Sequence, residues 1–113
     1  MALSKGTVSV SVLYPRTADS TFHLDYYITQ HMVLAEKVWG PHGMINWSVI
    51  EAPNGDYSVH SFITFKAQGE NGLDGVMAAL TSEGGKELAA DVPNFSNKTP
   101  QVVIGTVRAS GSV

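Results

Sequence analysis

A chain of 113 residues is the length of a single domain, and 43% hydrophobic against 15% charged residues is apolar for so small a protein, which points to apolar surface shared with a partner. A net charge of −3 with scattered Lys and Arg argues against a nucleic-acid or anionic-membrane surface. The lack of cysteine excludes disulfides, thiolate catalysis and Cys-ligated zinc or iron–sulfur centres.

The first periodic segment runs from Thr7 to Tyr14, where Val8, Val10, Val12 and Tyr14 alternate with Thr7, Ser9, Ser11 and Leu13, the period of a strand. Pro15 ends it, and Arg16 to Thr21 is a polar connection. A helix is expected from about His23 to about Trp39, with Ser20, Thr21 or His23 as its N-cap, Asp25 in its first turn and Gly40-Pro41 as its stop. Met44 to Ala52 reads as a second strand and Tyr57 to Lys66 as a third. Between them Pro53-Asn54-Gly55-Asp56 is a hairpin signal, because Asn-Gly tolerates the positive φ of a tight turn. Gly69 to Gly72 is a loop. Leu73, Val76, Met77 and Leu80 step by 3, 1 and 3 and mark a second helix, which Gly84-Gly85 interrupts and Lys86 to Asp91 resumes as a turn. Gln101 to Arg108 is the fourth strand, and residues 109–113 form a small, polar, frayed tail.

The order β-α-β-β-α-β is that of a ferredoxin-like α+β domain, one unit over residues 1–113 with its core at about 7–108. It predicts a four-stranded antiparallel sheet with both helices on one face. The second and third strands carry apolar side chains on both sides. Ile45, Trp47 and Val49 oppose Met44 and Ile50, and Tyr57, Val59, Ile63 and Phe65 oppose Phe62. A sheet with one wet face alternates more cleanly. A second copy of the chain is the economical cover for the other face, which makes a homodimer the expected assembly. No apolar run approaches the roughly 20 residues of a membrane span. Met1 to Gly6 lacks a signal-peptide core, so the expected place is the cytoplasm.

His31 is the residue that helix formation does not explain. The apolar positions 24, 27, 28, 34, 35 and 38 share one stripe at roughly 100° per residue, and His31 falls near its centre. An imidazole there faces whatever the helix packs on, and it must find a partner or a pocket. Tyr27 stands one turn earlier on the same face. Tyr26 points away from the stripe, and Phe22, Tyr26 and Val33 read as a secondary contact patch. Trp39 packs the core or stacks on a ligand. Trp47 and His60 face either a pocket or the dimer interface. His23 reads as exposed and His42 as a loop residue. None of the four histidines shows a metal-ligand spacing, so no metal site is expected. Asp91 is expected to cap a helix end or turn rather than to reach His31.

Five segments resemble the EthD family, named for an ethyl tert-butyl ether degradation protein. They are Val12-Leu13-Tyr14-Pro15, Phe22 to Tyr27, His31-Met32-Val33-Leu34, Trp39-Gly40-Pro41 and Val92-Pro93-Asn94-Phe95, and Pro100 to Val107 matches at the end. The family usually has proline after His-Met, where this chain has Val33. The resemblance implies a dimeric α/β barrel with a small-molecule pocket between helices and sheet. It strengthens the reading of His31 as a pocket residue. The expected site is then His31 and Tyr27 as catalytic residues with Trp39, Trp47, His60 and Phe95 as substrate contacts, and no cofactor is expected. The expected function is binding or transforming an apolar or aromatic organic compound, with His31 as acid or base in cofactor-independent oxidation, decarboxylation or isomerisation. A non-catalytic accessory protein is the alternative. Haem binding through His31 is a weaker one, which a Soret band would reveal.

Overall fold

The computed structural model describes residues 6–113. Residues 1–5, part of the segment read as lacking a signal-peptide core, lie outside the described residues.

Strand β1 (Thr7–Pro15) is central and pairs antiparallel with β3 (Tyr57–Lys66) on one side and β4 (Gln101–Thr106) on the other. Strand β2 (Met44–Glu51) adds to the far side of β3, giving the order β2-β3-β1-β4. This is the ferredoxin-like sheet. Directly paired residues of antiparallel strands point to the same face. The register therefore puts Val8, Val10, Val12 and Tyr14 with Phe65, Ile63, Ser61 and Val59 beneath the helices. All eight are buried. Leu13, His60, Phe62, Ile50 and Val103 occupy the opposite face, which no element among the described residues covers.

The expected first helix is three pieces. α1 (Leu24–Tyr26) runs into a π-helical turn (Tyr27–His31) and then α2 (Met32–Trp39). A 3₁₀ turn, Gly40–His42, follows, and Gly43 at φ +103° takes the left-handed conformation that ends it. The hairpin turn forms as expected, with Gly55 at φ +98°. Arg16 clamps it, its Nε donating to the Gly55 carbonyl at 3.0 Å.

The second helical region is also divided, into α3 (Asp74–Thr81) and α4 (Glu83–Asp91). The break is at Ser82, whose extended backbone (ψ 166°) stops one helix and whose Oγ caps the next by accepting from the Gly85 N–H at 3.0 Å. Gly84 and Gly85 belong to the first turn of α4 rather than to the break. A Cβ on Gly85 would lie 2.4 Å from the Ala79 carbonyl oxygen, and one on Gly84 would lie 2.4 Å from the Val38 Cβ. The glycines let α4 pack tightly on α3 and α2.

Candidate functional site

The widened π-helical turn is built around the two residues singled out on this helix. The Met32 N–H bonds to the Tyr27 carbonyl, five residues back. Such turns often occur at functional sites. Accommodating the extra residue shifts the buried face. Tyr27, His31, Met32, Ala35 and Trp39 point inward, whereas Ile28, expected on the stripe, is 37% exposed.

His31 is 8% exposed. Its Nδ1 lies 2.9 Å from Asp91 Oδ2. Asp91 ends α4, opposite the π turn, so the expectation that it only caps a helix end is corrected: it faces His31. Its other oxygen, Oδ1, accepts from the Tyr26 hydroxyl at 2.8 Å and from Asn94 Nδ2 at 2.8 Å. Tyr26, read as part of a separate patch, is therefore a partner of the same carboxylate. Burial pushes the Asp91 carboxyl up, but the hydrogen bonds from Asn94, His31 and Tyr26 together outweigh it and hold it below its ordinary value. An ionised carboxylate can only accept, so Nδ1 carries the proton. For His31, burial lowers the pKa, and the Asp91 contact raises it without cancelling that effect. The imidazole is neutral at pH 7, with a lone pair on Nε2.

That Nε2 has no hydrogen-bond partner among the described residues, yet it is not sealed into the protein. His31 lines a cavity of about 450 Å³ between the helices and the sheet, in the size range of small-ligand pockets. Val12, Ile63, Met32, Leu88 and Val92 supply apolar walls, and Val102 on β4 lies at its edge, 47% exposed. Tyr27 and Tyr14 also line it. The Tyr27 ring stacks on His31 at 5.2 Å and 17°. Its hydroxyl is bonded to buried Ser61 and interacts with that of Tyr14. Burial raises the pKa of both tyrosines, so both stay protonated.

Of the expected ligand contacts, Trp39 alone is on the cavity wall, where its Nε1 donates to the Ala79 carbonyl at 3.1 Å. Phe95 is fully buried behind the site, its ring 4.6 Å from that of His31 and 4.8 Å from that of Tyr27. It fixes both rings without lining the cavity. Trp47 is on the helix side of edge strand β2, donating to Glu36 Oε2 at 2.7 Å, away from the cavity. His60 is on the open face of the sheet, beside Phe62. Asp91 and Tyr26 are site residues to which the sequence reading gave other roles, and Asn94 and Ser61 are ones to which it gave none. Asp91 is 60 positions from His31, and only the fold brings them together. Among the described residues, no group of three or more His, Asp and Glu side chains converges closely enough to hold a metal ion, and no helix is long and apolar enough to cross a membrane.

No family model and no curated protein matches the chain. Solved structures share its fold over nearly the full length. An EthD-like protein of Ralstonia eutropha superposes with a TM-score of 0.76 at 20% identity, over 94% of this chain and 96% of that one. An ethyl tert-butyl ether degradation (EthD) family protein of Bacillus halodurans gives 0.65 at 18% identity, over 89% and 98%. SnoaB of Streptomyces nogalater, a cofactor-independent oxygenase, gives 0.60 at 14% identity, over 92% and 95%. The ferredoxin-like fold of the single chain is thus the one that these EthD proteins share.

Proposed function

We propose that the protein binds a small, largely apolar organic molecule in the helix–sheet cavity, and that His31 transfers a proton to or from it. The observation that carries this reading is the Nε2, without a hydrogen-bond partner among the described residues, of a neutral imidazole whose other nitrogen is committed to Asp91. A base needs a free lone pair within reach of the substrate and a fixed ring orientation. Asp91 supplies the orientation, and Tyr27 and Phe95 hold the ring plane. Proton abstraction by His31 would begin cofactor-independent oxidation or isomerisation, and proton donation by it would end a decarboxylation, at the carbanion that loss of CO2 leaves. Fold alone does not choose among them, although SnoaB, with the same fold, is an oxygenase that works without a cofactor. A second copy of the chain covers the open sheet face in this reading.

The neutral dye Nile red tests the cavity. Saturable emission enhancement is expected, and Ala89→Trp, which grows a large side chain into the cavity from an exposed position on α4, should abolish it while leaving the circular dichroism unchanged. Enhancement that survives Ala89→Trp would place the binding elsewhere. On a converted substrate, His31→Gln should lower turnover on the order of 10²–10⁴-fold. Bound ligand recovered unaltered would assign a carrier.

A further inference from the structure

The polar groups of the cavity narrow the kind of molecule it takes. Among the described residues that line it, none is Lys, Arg, Asp or Glu. A ligand bearing a carboxylate or phosphate would lose its water and gain no counter-charge. The Tyr27 hydroxyl is taken up by Ser61 and Tyr14, and the Trp39 N–H by the Ala79 carbonyl. Thr99 keeps an open hydroxyl at an exposed position on the wall, and the group left open on a buried side chain among the described residues is His31 Nε2; with the proton held on Nδ1 by Asp91 it is an acceptor. The matching ligand presents a hydroxyl donor, carries no charge, and is otherwise apolar. A neutral imidazole forms its best hydrogen bond with an acidic O–H, and the aromatic and aliphatic walls favour a flat unsaturated skeleton.

Resting on the reading of the cavity as a small-molecule site, we propose that its ligand is a neutral phenol, bound with its O–H donating to His31 Nε2. Asp91 sets this preference by fixing the donor and acceptor ends of the ring. It is a positioning residue, and changing its hydrogen-bonding pattern changes what the cavity selects.

Equilibrium dialysis at pH 7.5 with three naphthalene probes tests this. The probes are 2-naphthol, 2-methoxynaphthalene and 2-naphthoate, which share a ring system and differ in offering a donor, only an acceptor, or a charge. Wild-type protein should bind naphthol about 5- to 10-fold more tightly than the ether and about 100-fold more tightly than the naphthoate. His31→Leu should bind naphthol and the ether equally. Asp91→Asn keeps the side-chain shape and answers the question if His31→Leu does not fold. Its amide donates to Nδ1, moves the ring proton to Nε2, and should bring the naphthol-to-ether ratio near one. Equal binding of naphthol and ether by wild type, tightest binding of naphthoate, or a naphthol preference that survives in either variant overturns the phenol assignment alone. If none of the three binds at millimolar concentration, the small-molecule reading falls, and the phenol assignment with it.

Discussion

At the scale of the residue, His31 and Asp91 act as one unit, and their titration reports it. Burial lowers the His31 pKa and Asp91 opposes that shift. Asp91→Asn removes the opposing charge, so the His31 pKa should fall further. Long-range ¹H–¹⁵N NMR of the imidazole reads both the pKa and the tautomer, and a rise in the variant would show that Asp91 does not favour the imidazolium. The shift is also a statement about stability. Because the folded pKa lies below the ordinary value of about 6.5, the unfolded chain takes up its proton first as the pH falls. Stability contributed by neutral His31 is therefore complete above about pH 6.5 and is lost between there and the folded pKa. The Asp91 carboxyl, held low, is lost at more acid pH still. The urea midpoint of wild type should drop on acidification below about pH 6.5, and His31→Gln should flatten that part of the curve. His31 was legible in the sequence because a single imidazole interrupted an apolar stripe. Asp91 was not, because an acidic residue at a helix end has an ordinary explanation, and chain order says nothing about distance.

At the scale of the element, hydrophobic periodicity found both helical regions and all four strands, because each buries one face against a common core. It missed the π-helical turn at Tyr27–His31. One extra residue in a turn rotates the helix face by only a fraction of a turn, and the apolar residues on both flanks blur the change. Met32 and Trp39 took the inward places that a regular helix would have given to Ile28 and Val38. Glycine was misread for a different reason. Gly84-Gly85 suggested a break, but the glycines answer to close packing, which sequence does not display. Gly85→Ala should cost about 1–3 kcal/mol as an overpacking substitution, since its Cβ would meet the Ala79 and Leu80 carbonyl oxygens at 2.4 and 2.6 Å, backbone that cannot step aside. Gly55 is the contrasting case. Nothing lies within 4 Å of a Cβ there, so Gly55→Val meets only the strain of φ +98°. That too should cost about 1–3 kcal/mol. Denaturant midpoints measure both, and a neutral Gly85→Ala would mean that α3 and α4 are not so closely set.

At the scale of the whole molecule, the open face of the sheet is the feature left without a partner. Ile50 and Val103 are each 48% exposed on it, with Leu13, Phe62 and His60 between them. The expectation of apolar residues on both faces was right in kind, but it placed Met44 on the wrong one. A bulge between Met44 and Asn46 turns Met44 to the helix side, opposite buried Phe65. Ile50 and Phe62 remain on the open face. Covering such a face with a second copy removes apolar surface from water on both chains at once. Light scattering should then give twice the 12.1 kDa chain mass. Phe62→Asp places a charge in the middle of this face but outside the helix-side core. It should yield a folded chain of single mass, with unchanged circular dichroism. The site is on the other side of the sheet, so Nile red binding should survive in that variant. A wild-type protein that stays monomeric at tens of micromolar, or a dimer indifferent to Phe62→Asp, would leave the open face without the proposed partner and require another reason for Ile50, Phe62 and Val103 to share it.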